Sequence, residues 1–359
     1  MDFDVSEDRR MLADTLNRFL TDRYGIEHRN SVAYDAPYHD PALWSQMAEL
    51  GVLHALVPEE HGGFGGTGFD ITVVFESLGR ALSPEPVLAA LMAARLLIAA
   101  GSEPEALLSG ETHYAVALSE PDAPYDVALG GTEAAPSDDG HGHTLTGRKS
   151  VIYGGHVADV FLVPAWLDGR IALFQVTKAD VKVTAYGMID GGGAAELFLE
   201  STPAKLLLAA AEAAFQDAQD AGALALCAEA VGAMDVTRDT LVDYLQQRKQ
   251  FGRTIGSFQA LQHRTVELAT QIEQARSITI LAASRMDGPD QSRTVSMAKN
   301  LVGRAARLVS EETIQMHGGI AMTWEYSASH YAKRLVMLDH QLGDTDHHLE
   351  RVMAAYAAA

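Results

Sequence analysis

The chain has 359 residues, with 27 Lys+Arg against 48 Asp+Glu and a formal net charge of −21. Hydrophobic residues at 47% and charged residues at 21% are the balance of a packed globular chain, which excludes general disorder. So acidic a chain lacks the basic stripe of a nucleic-acid binder, and an anionic ligand needs a local basic cluster instead.

At roughly 100–200 residues per domain, two or three domains or one large composite unit are expected. The single cysteine, Cys227, excludes an internal disulfide and leaves too few thiolates for a Cys-based zinc or iron–sulfur site. The start, Met1 to Asp8, is acidic where a secretory signal carries positive charge. The most apolar stretch, Val87 to Ala100, is interrupted by Arg95 and is too short to span a bilayer. A soluble, cytoplasmic protein with no membrane partner is the expectation.

Residues 1–112 read as a helical domain. Val5, Leu12, Leu16, Phe19 and Leu20 recur at helical spacing, with Ser6 placed to cap and Glu7 and Asp8 at the positive end. Leu43 to Leu56, Ile71 to Leu82 and the apolar 87–99 after Pro84 and Pro86 continue the pattern. The glycine-rich run Pro58 to Gly68 invites a phosphate-loop reading. No strand precedes it and no Gly-Lys-Ser/Thr ends it, so a wide turn between helices is expected.

From 113 to 203 the period changes to two. Tyr114–Leu118, Val160–Val163, Ile171–Val176, Val181–Val183 and Leu197–Leu199 are short strand candidates, and a small antiparallel β domain is predicted. Gly130 to His143, which includes His141, has no apolar period and reads as a mobile hairpin loop. Residues 204–359 read as a helical bundle: Leu206 to Arg248 is Ala-rich and apolar on more than one side, and Val266–Met286 and Ser292–Met316 follow. The fold class is α+β, helical then β then helical, without the βαβ alternation of a Rossmann fold.

Two segments carry chemistry. Arg248 to Gln259 brings three cations and two glycines to the end of a long helix. That set can hold a phosphate bidentately and through main-chain N–H groups, or can simply cap the helix. Gln315 to Tyr326 places paired glycines, Gly318 and Gly319, after a helix that offers Gln315. Backbone laid against a flat or anionic ligand and a plain helix stop both fit.

Together these segments resemble the acyl-CoA dehydrogenase family. Arg248, Phe251, Gly252, Ile255 and Gln259 fit its Arg-x-x-Phe-Gly-x-x-(I/L)-x-x-x-Gln pattern. Gln315, Gly318 and Gly319 fit Gln-x-x-Gly-Gly-x-Gly, with Ala321 in place of the last glycine. Pro58 to Gly63 reproduces the family's Pro-Glu-Glu-x-Gly-Gly, and Ser119-Glu120-Pro121 its Thr/Ser-Glu-Pro turn. The helix–β–helix order is the family's own.

The resemblance implies an FAD enzyme that removes the α and β hydrogens of an acyl-CoA thioester, with an electron-transferring flavoprotein as acceptor. It implies that Leu118 and Ser119 touch the flavin ring and that Arg248, Gln250, Phe251, Phe258 and Gln259 hold the FAD of a neighbouring subunit. Gln315, Gly318 and Gly319 would lie beside that cofactor's diphosphate, so an oligomer is expected. The family's Trp-(I/V)-(T/S)-Asn-(G/A) strand is Val151-Ile152-Tyr153-Gly154-Gly155 here, which removes the Trp and leaves Tyr153 as the hydroxyl near N5. After Glu-Pro the family has Gly-x-Gly-Ser-Asp, where this chain has Asp122 to Asp126.

The family's base, Glu in Tyr-Glu-Gly-Thr, maps onto Leu342 to Arg351. Counting back from Arg351 gives Asp344; pairing Thr345 with the family threonine gives Gly343 and no base, and the resemblance counts Thr345 among the FAD-binding residues. The alternative position on the long helix falls on Gly222. Asp344, Asp346, His347 and His348 are four neighbours on one turn and are not expected to converge on a metal. The opening and the Gly-Asp-Thr-Asp-His-His tail are similar to the small subunit of pimeloyl-CoA dehydrogenases and to the paired enzymes of steroid breakdown, which implies a second chain of the family as partner. Three readings stay open: a catalytic chain, a non-catalytic subunit that completes a partner's FAD site, and an oxidase.

Overall fold

The computed structural model describes residues 6–137 and 142–357. In chain order the helices and strands are α1 (Glu7–Arg23), α2 (Ile26–Ala33), α3 (Pro41–Glu49), α4 (Gly68–Ala81), α5 (Val87–Ala99), α6 (Glu105–Leu108), β1 (Tyr114–Val116), β2 (Glu133–Pro136), β3 (His143–Tyr153), β4 (Val160–Leu167), β5 (Arg170–Thr177), β6 (Lys182–Gly187) and β7 (Gly193–Leu208). Then come α7 (Glu212–Gln247), β8 (Lys249–Gln250), β9 (Arg253–Thr254), α8 (Gln259–Ala283), α9 (Gln291–His317), α10 (Ser327–His340) and α11 (Thr345–Ala357). They group into two compact units: Met1–His28 with Gly68–Ser83 and Ala223–Ala359, and Arg29–Thr67 with Pro84–Gly222.

The first unit is helical. Ser6 caps α1, its hydroxyl accepting the Arg9 N–H at 3.3 Å, and Leu16 and Leu20 bury the expected face. Val5 lies outside the described residues. α7 carries 36 residues, buried without interruption from Ala223 to Asp235, as its all-round apolar character predicts. Cys227 is fully buried there, and burial pushes its thiol up to about 12. α4 and α7 meet backbone to backbone, because a Cβ at Gly79 or Gly232 would collide with the carbonyls of Glu229 and Glu76. Beside this contact Arg276 bridges Glu76 at 3.0 Å and Asp235 at 2.7 Å.

The second unit holds most of α2, all of α3, α5 and α6, and one seven-stranded sheet, with α5 packed on β1. β4 takes β5 along one edge and β1, then β2, along the other; β2 pairs β3, β3 pairs β7, and β7 pairs β5, which closes the strands on themselves. Most pairings are antiparallel as expected, but β1–β4 and β2–β4 are parallel. Both faces are covered, so β4 and β5 are buried in continuous runs around Phe161 and Phe174.

Two sequence expectations change here and a third, the glycine-rich turn, holds. The predicted loop 130–143 contains β2, paired with β3 from Glu133 to Pro136; His143 opens β3, and His141 lies outside the described residues. The strand expected at Leu197–Leu199 does not stop at Pro203. β7 exchanges β6 for β5 along one edge, pairing with β5 from Lys205 to Leu208, so α7 starts only at Glu212. The glycine-rich run is a turn, with a short 3-10 segment at Glu59–His61 and its N–H groups bonded to His54, Ala55 and Val57. Among the described residues no helix is long and apolar enough to cross a membrane.

Candidate active site

In the second unit Leu118 and Ser119 leave the sheet just past β1. Ala117 still donates to Leu162 O at 2.9 Å, and Ser119 instead accepts the Ser150 N–H at 2.9 Å. That bond brings the Ser119 turn beside the end of β3, where Tyr153 lies. The Ser119 hydroxyl is engaged within its own loop, donating to Pro124 O at 2.9 Å.

The residue that fixes this turn is Glu120, which sequence reasoning quoted only as part of a motif. Its carboxylate accepts from Lys149 Nζ at 2.6 Å, Thr132 Oγ1 at 2.5 Å, Gly131 N–H at 2.7 Å and Thr132 N–H at 3.1 Å. Burial pushes Glu120 up, but the Lys149 ammonium and these donors outweigh it and hold the carboxyl below its usual range. Lys149 is 2% exposed. A cation at an inward strand position was the available signal.

Two residues on, the register of β3 shifts and Val151 stands at φ 49°. A β-branched residue there is strained, and such strain concentrates at functional positions. Its N–H donates to Glu196 Oε1 at 3.3 Å, which also accepts the Tyr186 hydroxyl at 3.0 Å. Burial, then Glu196, pushes that phenol up to about 12.

In the first unit the Arg248 segment is more than a helix stop. β8 and β9 form a hairpin whose two turn residues, Phe251 at φ 53° and Gly252 at φ 79°, both lie in the left-handed region. Phe251 is 90% exposed. Arg248 and Gln250 are exposed, Gln259 is exposed at the start of α8, and Phe258 is half-buried under Arg253, whose guanidinium sits 4.1 Å from its ring centre. Among the described residues no carboxylate pairs with Arg248 or Lys249, in a chain that carries 48 acidic residues.

Gln315 is exposed on the last turn of α9, and Gly318 and Gly319 follow with open space around them. The last turn of α7, just before the first motif, packs on the second: the rings of Tyr244 and His317 are 4.7 Å apart, and Tyr326 packs 5.2 Å from His317. Exposed Arg248 and the bare main chain at Gly318–Gly319 suit an anionic, flat-ringed ligand brought in from outside the chain.

Asp344 and Thr345 are not part of that cluster. They start α11 and pack against α9 near Lys299 and Asn300, 18 residues or about 27 Å of helix from His317. Asp344 Oδ1 accepts the His347 N–H at 2.8 Å, so it caps α11. Thr345 Oγ1 donates to Asp339 Oδ1 at 2.8 Å. His348 is buried, and burial, then the nearby Lys299 and Arg351, drives its ring down to about 2. Among the described residues no His, Cys, Asp and Glu side chains group as a metal site.

Comparison with known proteins decides the family. The acyl-CoA dehydrogenase N-terminal domain model matches residues 6–105 and the C-terminal domain model residues 213–357. The acyl-CoA dehydrogenase IpdE2 of Mycobacterium tuberculosis is 31% identical over 91% of each chain. The chain belongs to the acyl-CoA dehydrogenase family. As a member it is an FAD oxidoreductase, and the α+β fold read from sequence is the one found. The acyl-CoA dehydrogenase FadE34 of the same organism is 31% identical over 92% of this chain, which spans 43% of that longer protein. Among solved structures, the ChsE4-ChsE5 complex from Mycobacterium tuberculosis matches over 100% of both chains with a TM-score of 0.91 and 26% identity.

Proposed function

We propose that this acyl-CoA dehydrogenase is one chain of a heteromer that forms the α,β double bond of an acyl-CoA thioester and passes electrons to an electron-transferring flavoprotein. The observation that carries the reading is the β8–β9 hairpin. It leaves Arg248 exposed, with no carboxylate partner among the described residues, and projects Phe251 into solvent at the far end of α9 from Asp344. That separation supports a hairpin that holds a neighbour's cofactor, with the chain's own substrate end at Asp344. Similarity to the ChsE4-ChsE5 complex and to the Tcur3481-Tcur3483 steroid ACAD (27% identity, TM-score 0.89, 98% and 99% of the chains) supports a second chain and a steroid-derived or other bulky acyl group.

Bound FAD supplies the acceptor for the β-hydrogen. The chain's own residues do the rest. Arg248, Gln250 and Gln259, with Gln315 and the Gly318–Gly319 main chain, orient the cofactor's phosphates and adenosine. Leu118, Ser119 and the strained Val151–Tyr153 segment give the flavin ring a wall. Asp344 takes the acidic α-proton, one methylene shorter than the family's Glu, and Thr345 fixes the turn through Asp339.

A second reading has its own support: Asp344 already caps α11, and no Trp stands at Val151. In that reading the chain completes a partner's FAD site without turning over substrate. Co-expression with neighbouring acyl-CoA dehydrogenase chains, followed by flavin quantitation and anaerobic titration with acyl-CoA, tests both. Flavin bleaching that survives in the complex but is lost with Asp344→Asn supports the catalytic reading. Full bleaching with that variant assigns the base to the partner.

A further inference from the structure

Beneath the Asp344 turn lies a buried cation that the mechanism above does not use. Lys299, in the first third of α9, is 2% exposed. Its ammonium donates to three main-chain carbonyls, Leu338 O, Asp339 O and Gly343 O, each at 2.9 Å. An ammonium has three N–H donors, so all are used and none goes to a carboxylate. Asp339 Oδ1, beside one of these carbonyls, accepts from Thr345.

Two of these acceptors are the last carbonyls of α10, which form the negative end of that helix. The third belongs to the residue just before Asp344. The chain between them turns through two left-handed residues, Leu342 at φ 55° and Gly343 at φ 102°. Neighbouring positions of α9 hold the same turn. Asn300 Nδ2 donates to Thr345 O at 2.9 Å, and Ser296 Oγ is 3.2 Å from His348 Nδ1. His348 Nε2 in turn lies 3.0 Å from Leu342 O. Gly303 is pressed against the Asp339 carboxylate, which leaves no room for a side chain. A polar ladder on α9, with Lys299 as its charged rung, thus grips the turn from Leu338 to Thr345 through its main-chain carbonyls.

We propose that Lys299 is a positioning residue: its ammonium clamps the α10–α11 turn and so sets where the Asp344 carboxylate and the α11 N-terminus stand. The clamp itself follows from the geometry; its effect on turnover rests on the reading of Asp344 as the base.

Amide hydrogen exchange on the assembled, flavin-loaded protein tests it. The His347 N–H is bonded to Asp344 Oδ1 and the His348 N–H to Asp344 O, so the first amide reports the carboxylate's position and the second that of the Asp344 main chain. First-turn amides of an exposed helix end normally fray and exchange fast. Here, in the native protein, they are expected to be protected to within about tenfold of α9 core amides such as Val302 and Ala306. Lys299→Met keeps the bulk and removes the donors. It should speed exchange at 347 and 348 at least tenfold, leave α8 amides and flavin content unchanged, and lower kcat by about 10²-fold with little change in KM.

Fast exchange at 347 and 348 in the native protein overturns the proposal, whether or not the variant folds. So does a folded Lys299→Met with native exchange there. Faster exchange with unchanged kcat supports the clamp and sinks Asp344 as the base, a failure that Asp344→Asn reports independently.

Discussion

The Lys149 ammonium lies 2.6 Å from the Glu120 carboxylate, and through that contact β3 holds the turn that follows β1. Lys149 is two residues from the strained Val151, and Glu120 directly follows Ser119. Both segments proposed to face the flavin ring are thus fixed by one buried ion pair.

Removing one partner leaves the other charge buried and unpaired, which costs about 3–5 kcal/mol in comparable sites. Lys149→Met is expected to lower the melting temperature strongly and to loosen flavin. The double variant Lys149→Met/Glu120→Gln should recover part of that loss, because the substituted amide carries no charge to strand in the interior. Calorimetry of both variants checks the order, and equal melting temperatures for single and double variants would count against it.

Arg248→Ala should weaken FAD binding by about 1.5–3 kcal/mol, the range of a charge-assisted contact, with no loss of fold because the side chain is exposed. Flavin retention after gel filtration reads this. Native retention in the assembled variant would remove Arg248 from the cofactor site.

Asp344→Asn keeps an N-cap and should preserve stability, whereas Asp344→Ala should cost about 1 kcal/mol as the cap is lost. Both should abolish flavin bleaching by acyl-CoA if Asp344 is the base. The pair separates the two roles in one comparison of stability with turnover.

Acid should destabilise the second unit through a cluster of one buried and two half-buried histidines. His39, His113 and His156 cluster there, with ring centres 5.7 and 6.1 Å from His39, and His39 Nδ1 is 3.1 Å from Glu85. Burial, then His39, lowers His156 to about 4. Between pH 6.5 and 4 the unfolded chain takes up this proton and the folded chain does not, so stability falls as pH falls through that window. From pH 7 to pH 5 the loss from His156 alone is about 2 kcal/mol. His156→Gln should flatten the melting temperature across pH 5–7, and an unchanged slope would show that other groups set it.

Much of this molecule was legible in residue patterns, and the gaps have physical causes. Ser6 announced α1, and the all-round apolar α7 announced its own burial. The hairpin at Phe251 was hidden because both left-handed turn positions normally go to Asn, Asp or Gly, and Phe gives no such signal. The first part of β3 was hidden because Arg148 and Lys149 interrupt any apolar alternation, and the inward partner of Lys149, Glu120, lies 29 residues earlier in the chain. The Lys299 clamp could not be read at all, since its acceptors are main-chain atoms about 40 residues away.

The burial of Cys227 has a practical consequence for studying assembly. Its thiol is shielded inside α7 and pushed up to about 12, so hardly any thiolate exists near neutral pH for an alkylating probe to find. To a maleimide in solution the native chain is thiol-free. A Phe251→Cys substitution would then supply the sole labelling point, sitting on the turn that is 90% exposed in the single chain. A dye placed there would change colour or lifetime as the hairpin becomes covered, giving a direct optical record of subunits and cofactor coming together.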